Sequence, residues 1–383
     1  MKKQLSFILC FVLLIMSISP FAHAEDVQPE KITEGVLTYT VENGNATIIA
    51  CDKEATGEIV VPDTLDGYTV TRIRNKAFDS CKAITCVTLP DTITFMGESA
   101  FSKCYALESI NIPAGISDIN SHVFSECKSL LEIVIPEGVT EIGYAAFYSC
   151  KSLSNVVLPK GLIEISADAF SNCIALTQIE LPYSVEEIYS RAFKGCKNLT
   201  CIKIPSGVKA VYSSTFAYCE NLTEVELPDG LSSIFEGSFT DCKALSKIDI
   251  PSSVKFIESK AFYNCESLES VTIPLEIKRF YYDAFTGCTG LTDVYYDGCI
   301  EKWQRIDKGD NDTVNFENAT FHYKETTPID LLELKLDDLN DGLVDVNLIL
   351  FSITATVSIP LLVLIRLILL APTLLWEKLV QLN

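Results

Sequence analysis

Histidine, tryptophan and methionine are almost missing from this 383-residue chain, which has three, two and three of them. So few imidazoles leave little for a histidine metal cluster or a histidine acid–base pair. Glycine is sparse too, at 18 residues, and none of it forms a phosphate-cradling loop. Basic residues number 30 against 51 acidic ones, a formal charge of −21. Such a chain repels nucleic acid and anionic lipid headgroups. No nucleophile stands in a recognisable pairing with a base, so an enzyme is not expected, and neither is a cofactor or a bound metal.

Phenylalanine, by contrast, recurs every 23 residues from Phe78 through Phe101 and Phe124 to Phe285, ten times without a slip. A cysteine follows each one three positions later, from Cys81 to Cys288. A fixed period of this length predicts a stacked-repeat solenoid rather than a globule around one closed core. In the unit Ala146 to Asp168 the apolar positions are Phe147, Cys150, Leu153, Val156, Leu158, Leu162 and Ile165. The pair Val156-x-Leu158 predicts a short strand. Pro159, which recurs from Pro90 to Pro274, should stop that strand and turn the chain. Apolar residues three and six positions further on predict a second extended run. The Ala-Phe-x-x-Cys segment has room for no more than one helical turn.

The ends depart from the pattern as caps should. Residues 35–61 alternate enough to form a hairpin over the first rung, and Thr64–Tyr68 insert five residues into a degenerate first unit. At the far end Asp297 replaces the proline, and Tyr295, Tyr296, Trp303, Phe321, His322 and Tyr323 provide a bulky lid.

Outside the repeats, Lys2, Lys3, an apolar stretch from Leu5 to Ile18 and Ala22-His23-Ala24 form a secretory signal pattern, with cleavage expected after Ala24. Residues 346–365 carry no charge, long enough to cross about 30 Å of hydrocarbon, and Arg366 follows. The expected division is therefore a signal peptide at 1–24, a β cap with a degenerate repeat at 25–76 and ten repeats at 77–298. A C-terminal cap at 299–324, an acidic linker at 325–345 and a hydrophobic membrane anchor at 346–376 complete it. The protein is expected to be exported and held at the cell surface, with no obligate oligomer.

The unit, the opening Gly35-Val-Leu-Thr-Tyr-Thr-Val, the closing Val294-Tyr-Tyr-Asp-Gly with Trp303, and Asn318-Ala-Thr-Phe-His-Tyr together resemble the BspA-like leucine-rich repeat proteins. The resemblance covers about residues 33–324. It implies a leucine-rich repeat solenoid: a right-handed, strand-dominated superhelix with short helical turns. It also implies a role in adhesion to proteins, cells or polymers, and no catalysis. Asp338-Leu-Asn340-Asp341-Gly342-Leu-Val344-Asp345 resembles the calcium loop of dockerin modules, with one residue missing between Asn340 and Asp341. That remnant supports an alternative, a scaffold-associated component of a polysaccharide-degrading system.

The ladder cysteines are expected to be small buried thiols rather than a run of disulfides or metal ligands, because ligands on a straight column cannot surround one ion. Cys86 and Cys201 share an outer position five rungs apart, too far to bond. Candidate partner-binding residues are those five and seven positions after each ladder cysteine, expected on a concave face. The charged ones in the C-terminal half are Glu180, Lys203, Glu224, Glu226, Lys247 and Asp249. A second candidate is the column of Tyr189, Tyr212 and Phe235, suited to sugars or a protein hot spot if exposed and to edge packing if not. His122 is expected at the surface and His322 in a structural role within the terminal cap.

Overall fold

A computed structural model describes residues 30–307, 316, 318–327, 329–331, 333 and 334. The signal peptide at 1–24, the calcium-loop remnant at 338–345 and the hydrophobic segment at 346–376 lie outside the described residues. Among those that are described, no helix is long and apolar enough to cross a membrane.

Each repeat closes one turn of a strand-dominated solenoid with two parallel ladders. In the first, strands such as Glu132–Val134 and Asn155–Val157 pair in register, Ile133 opposite Val156. In the second, two-residue strands stack in the same way, with Ile119, Ile142, Ile165 and Ile188 successive partners. Both registers preserve the 23-residue offset, so identical side chains superpose. Proline ends the first strand as its missing N–H requires. Its carbonyl then closes a turn to the residue three positions on, as from Pro136 to the N–H of Val139 at 3.2 Å. The second extended run is therefore shorter than its two apolar positions imply: Val139 belongs to the proline turn, and only Glu141–Ile142 is strand.

The Ala-Phe-x-x-Cys side is built from successive i→i+3 turns, as from Phe147 O to Cys150 N at 3.2 Å. Alternate N–H groups reach the next rung instead: Ala145 to Ala167, Phe147 to Ala169 and Ser149 to Ser171, at 2.8–3.0 Å. Pointing those groups along the stack requires left-handed backbone two residues before and two after each phenylalanine. The positions are held mostly by ordinary residues, such as Lys103 at φ 60° and Arg191 at φ 62°. A left-handed L-residue costs roughly 1–2 kcal/mol. Lys103→Gly is accordingly expected to leave stability unchanged or raise it by up to about 1 kcal/mol, and Lys103→Val to lower it by about 1–2 kcal/mol. Urea unfolding of both variants checks this.

The interior is one column of fully buried phenylalanines, stacked with ring centroids 4.7–5.7 Å apart from Phe78 to Phe285. The cysteine column beside it does more than fill a tight space. The fourteen described cysteines are free thiols. From Cys104 to Cys288 each ladder Sγ donates to the carbonyl of the phenylalanine 26 residues earlier, at 3.1–3.3 Å. A hydrocarbon of the same size would pack there but leave that lone pair unused.

The N-terminal cap is a hairpin, Leu37–Glu42 against Asn45–Cys51, turned at Asn43-Gly44 with φ 52° and 76°. Both values are positive, as a tight hairpin turn of this kind demands. The five extra residues of the first unit form a second, smaller hairpin, Thr64–Leu65 on Tyr68–Ile73, turned at Asp66-Gly67. At the other end a short helix, α1 (Ile300–Gln304), presents Trp303 to Phe280, Tyr296 and Phe321, with centroids 4.9–5.8 Å apart. Strand Thr320–Tyr323 adds to the first ladder beside Asp293–Tyr296. Contacts with this cap continue past residue 324: Lys302 pairs with Asp330 and Glu333 at 2.9 Å, and Leu334 is buried.

Candidate functional site

A strand with one buried and two flanking exposed residues presents every second side chain to solvent. The first-ladder strands Cys201–Lys203 and Lys247–Asp249 do this, and Glu224–Glu226 does so around a half-buried residue, whereas the rung of Glu180 forms no strand. Glu180, Lys203, Glu224, Glu226, Lys247 and Asp249 are all exposed, around the buried Ile179, Ile202 and Ile248 and the half-buried Val225. Register then decides which of them meet. Cys201 faces Glu224 and Lys203 faces Glu226, so Lys203 and Glu226 form an ion pair across rungs. Lys247 and Asp249 pair along one strand at 2.8 Å, and Thr272 donates to Asp249 at 2.6 Å. Burial pushes the Asp249 carboxyl up, but the bonds from Lys247 and Thr272 outweigh it and hold it below the usual range. Among the described residues neither Glu180 nor Glu224 has a cationic partner within ion-pair distance. The N-terminal half of the same face carries less charge, with Val134 and Val157 exposed and opposite one another.

Tyr189, Tyr212 and Phe235 occupy one column beside the second ladder. Their rings stack at 5.4 and 5.5 Å and each is half-buried, so the column is neither free surface nor core. Tyr281 continues it two units on, under the guanidinium of Arg279 at 4.8 Å. Two residues earlier in each unit, across the buried isoleucine, Asp118, Glu141, Glu164 and Glu187 stand in register on four successive rungs. Burial, with Glu164 and Asp118 on either side, pushes the Glu141 carboxyl up. The charge of Glu164, burial and then Glu187 raise the Tyr189 phenol. This carboxylate column was open to the 23-residue period but was not singled out from it, because its position is variable elsewhere in the chain.

Of the histidines, His122 is half-buried, left-handed at φ 58°, and set edge-on to Tyr144 at 5.0 Å. His322 stacks on Tyr295 at 4.4 Å and bonds Asp293 at 2.7 Å, a cap contact. Cys201 is exposed, whereas Cys86 is half-buried and accepts from Ser109 at 3.3 Å. Among the described residues no three His, Cys, Asp or Glu side chains come together in a way that could hold a metal ion.

Parallel ladders 23 residues apart, a buried phenylalanine column and a variable outer strand face define a leucine-rich repeat solenoid that presents surface. The BspA type leucine rich repeat region (6 copies) matches this chain twice, over residues 58–177 and 163–292. That is more than half of the chain, which belongs to this family. Similar solved structures include a leucine rich cell surface protein from Faecalibacterium prausnitzii, 24% identical over 74% of this chain and 99% of that one, with a TM-score of 0.38. Another is the T. pallidum leucine rich repeat protein, 30% identical over 56% of this chain and 91% of that one, TM-score 0.42. A third is the pneumococcal vaccine antigen PcpA, 21% identical over 70% and 82%, TM-score 0.48. No curated protein matches the chain. Family membership suggests a non-catalytic protein-binding or adhesion role.

Proposed function

We propose that this chain is an exported, membrane-anchored surface protein that binds an extracellular protein or glycan through the outer face of its first ladder and the aromatic column beside its second ladder. The observation that carries this reading is the contrast within each strand. The inward residue repeats from rung to rung, while the two exposed residues beside it change in charge and size. A repeating scaffold with variable outward positions can hold a specific pattern of contacts without any cost to its core. Glu180 and Glu224, without cationic partners among the described residues, supply charge for a ligand, and the half-buried rings of Tyr189, Tyr212 and Phe235 supply apolar area.

The test is an array of matrix proteins and glycans probed with the full-length protein, followed by Glu180→Lys, Glu224→Lys and Tyr212→Ala. The expected result is a bound ligand whose affinity falls about tenfold in at least one charge-reversed variant, with thermal unfolding unchanged. A ligand bound equally by all three variants would place recognition elsewhere.

A further inference from the structure

We propose that the N-terminal cap carries a binding site for a carboxylate-bearing sugar, centred on Arg72 and Arg74. Hairpin strand Asn45–Cys51 pairs in parallel with Tyr68–Ile73, which pairs with Phe95–Met96. The registers place Thr47, Arg72 and Phe95 in one row across the sheet. Arg74 follows Arg72 on the same side, since Ile73 between them is fully buried and both arginines are exposed. With Glu42 and Asn75 these residues line a cleft of about 740 Å³.

Two of the chain's six arginines meet in this cleft, on a protein of net charge −21. Arg191 and Arg279 elsewhere are paired with Asp168 and Asp307. Among the described residues no carboxylate lies within ion-pair distance of Arg72 or Arg74. Arg72 is held over the Phe95 ring at 4.1 Å, which orders the guanidinium without consuming its N–H donors. Gly97 lets the next rung approach Asn75 closely, because a Cβ there would collide with the Asn75 side-chain oxygen and backbone nitrogen and with the Arg74 backbone. That Asn75 oxygen accepts the Glu98 N–H at 3.2 Å, which turns the two Asn75 amide hydrogens into the available donors.

The lining selects among anions. Two guanidinium forks suit one carboxylate held by parallel hydrogen bonds. A polyanion would meet the repulsive field of the acidic solenoid, whereas a single carboxylate meets it once. Glu42 in the same cleft needs a hydrogen-bond donor from the ligand, and Thr47 can give or accept one. A sugar acid carries the carboxylate and several hydroxyls on one ring and satisfies all of these groups. An acidic peptide side chain brings the carboxylate without the hydroxyls. The cleft lies on a different sheet both from the first-ladder face and from the second-ladder strands beside the aromatic column, so the two proposals stand separately.

Isothermal titration of the full-length protein with a glucuronic-acid-terminated disaccharide tests the site, against its methyl ester, sodium acetate and an aspartate-containing tripeptide. The acid is expected to bind at least about tenfold tighter than the ester, the acetate or the peptide. Arg72→Ala and Arg74→Ala should each abolish that preference. Arg74→Lys should weaken binding several-fold while leaving the fold intact, since it keeps the charge and loses the fork. Lys197→Ala, in the exposed Lys197–Glu220 pair and outside both proposed sites, should leave it unchanged. Equal binding of acid and ester, binding indifferent to Arg74→Lys, peptide binding as tight as the sugar's, or no binding at all would each overturn the proposal.

Discussion

Above pH 9 the solenoid is expected to lose stability steeply and to unfold within about one to two pH units. The cause is the thiol column. Burial pushes up Cys127, Cys150, Cys173, Cys196, Cys219, Cys242 and Cys265, with Cys196 raised to about 12. Contact with Cys127, then burial, raises Cys104. An unfolded cysteine titrates near 8.5. Below that value both states hold the proton and the thiols contribute their full share. Between about 9 and 12 the unfolded chain releases protons that the folded chain keeps. The unfolded state then binds fewer protons, so stability falls as pH rises. Each thiol contributes a slope of about 1.4 kcal/mol per pH unit, and eight together approach roughly 10 kcal/mol per unit. Total stability of a domain is only about 5–15 kcal/mol, so the effect is decisive. Urea midpoints measured at pH 7, 8, 9 and 10 should be flat at first and then collapse. A midpoint that stays level to pH 10 would mean that the thiols are not buried as described. The same burial should make Cys201, which is exposed, react with iodoacetamide long before any ladder cysteine.

Phe170→Ala is expected to cost about 3–5 kcal/mol, the range for emptying a fully buried aromatic site. Phe170 is completely buried and stacks on Phe147 at 5.2 Å and Phe193 at 5.5 Å. Its backbone carbonyl still accepts the Cys196 thiol, so the loss lies in the ring and not in the hydrogen-bond column. A solenoid has only nearest-neighbour contacts to distribute the damage. Weakening two successive interfaces near the middle should therefore uncouple the halves, and a single sharp urea transition should broaden or split. Phe256→Ala is the control: Phe256 is 41% exposed, and its loss should cost less than about 1 kcal/mol. A mid-stack cost equal to that of the control would show that the rings do not carry the stack.

Much of this architecture was legible because a repeat states itself ten times. Phe147 and Cys150 could be assigned to the interior from period alone, Pro159 to a strand end from its missing donor, and Trp303 to a lid from its place in the broken last unit. The outward direction of Lys203 and Lys247 followed from strand alternation. What period could not convey is which neighbour a group meets. The pairing of Lys203 with Glu226, the half-burial of Tyr212 and the thiol bond to the preceding phenylalanine carbonyl all depend on how far one rung slides over the next. The arginine cleft escaped for a related reason. It lies at the non-repeating cap, where Thr47 and Arg72 are joined only by the parallel pairing of two strands.

Sequence alone determined the period and the identity of the buried columns. Each of these is a local choice of side chain repeated at fixed spacing, and hydrophobic burial has no other way to satisfy it. Tertiary structure decided the left-handed turns, the cross-rung hydrogen bonds and the partners on the two exposed faces. Those depend on distances of a few ångströms between residues far apart in the chain, and such distances exist only once the rungs are stacked.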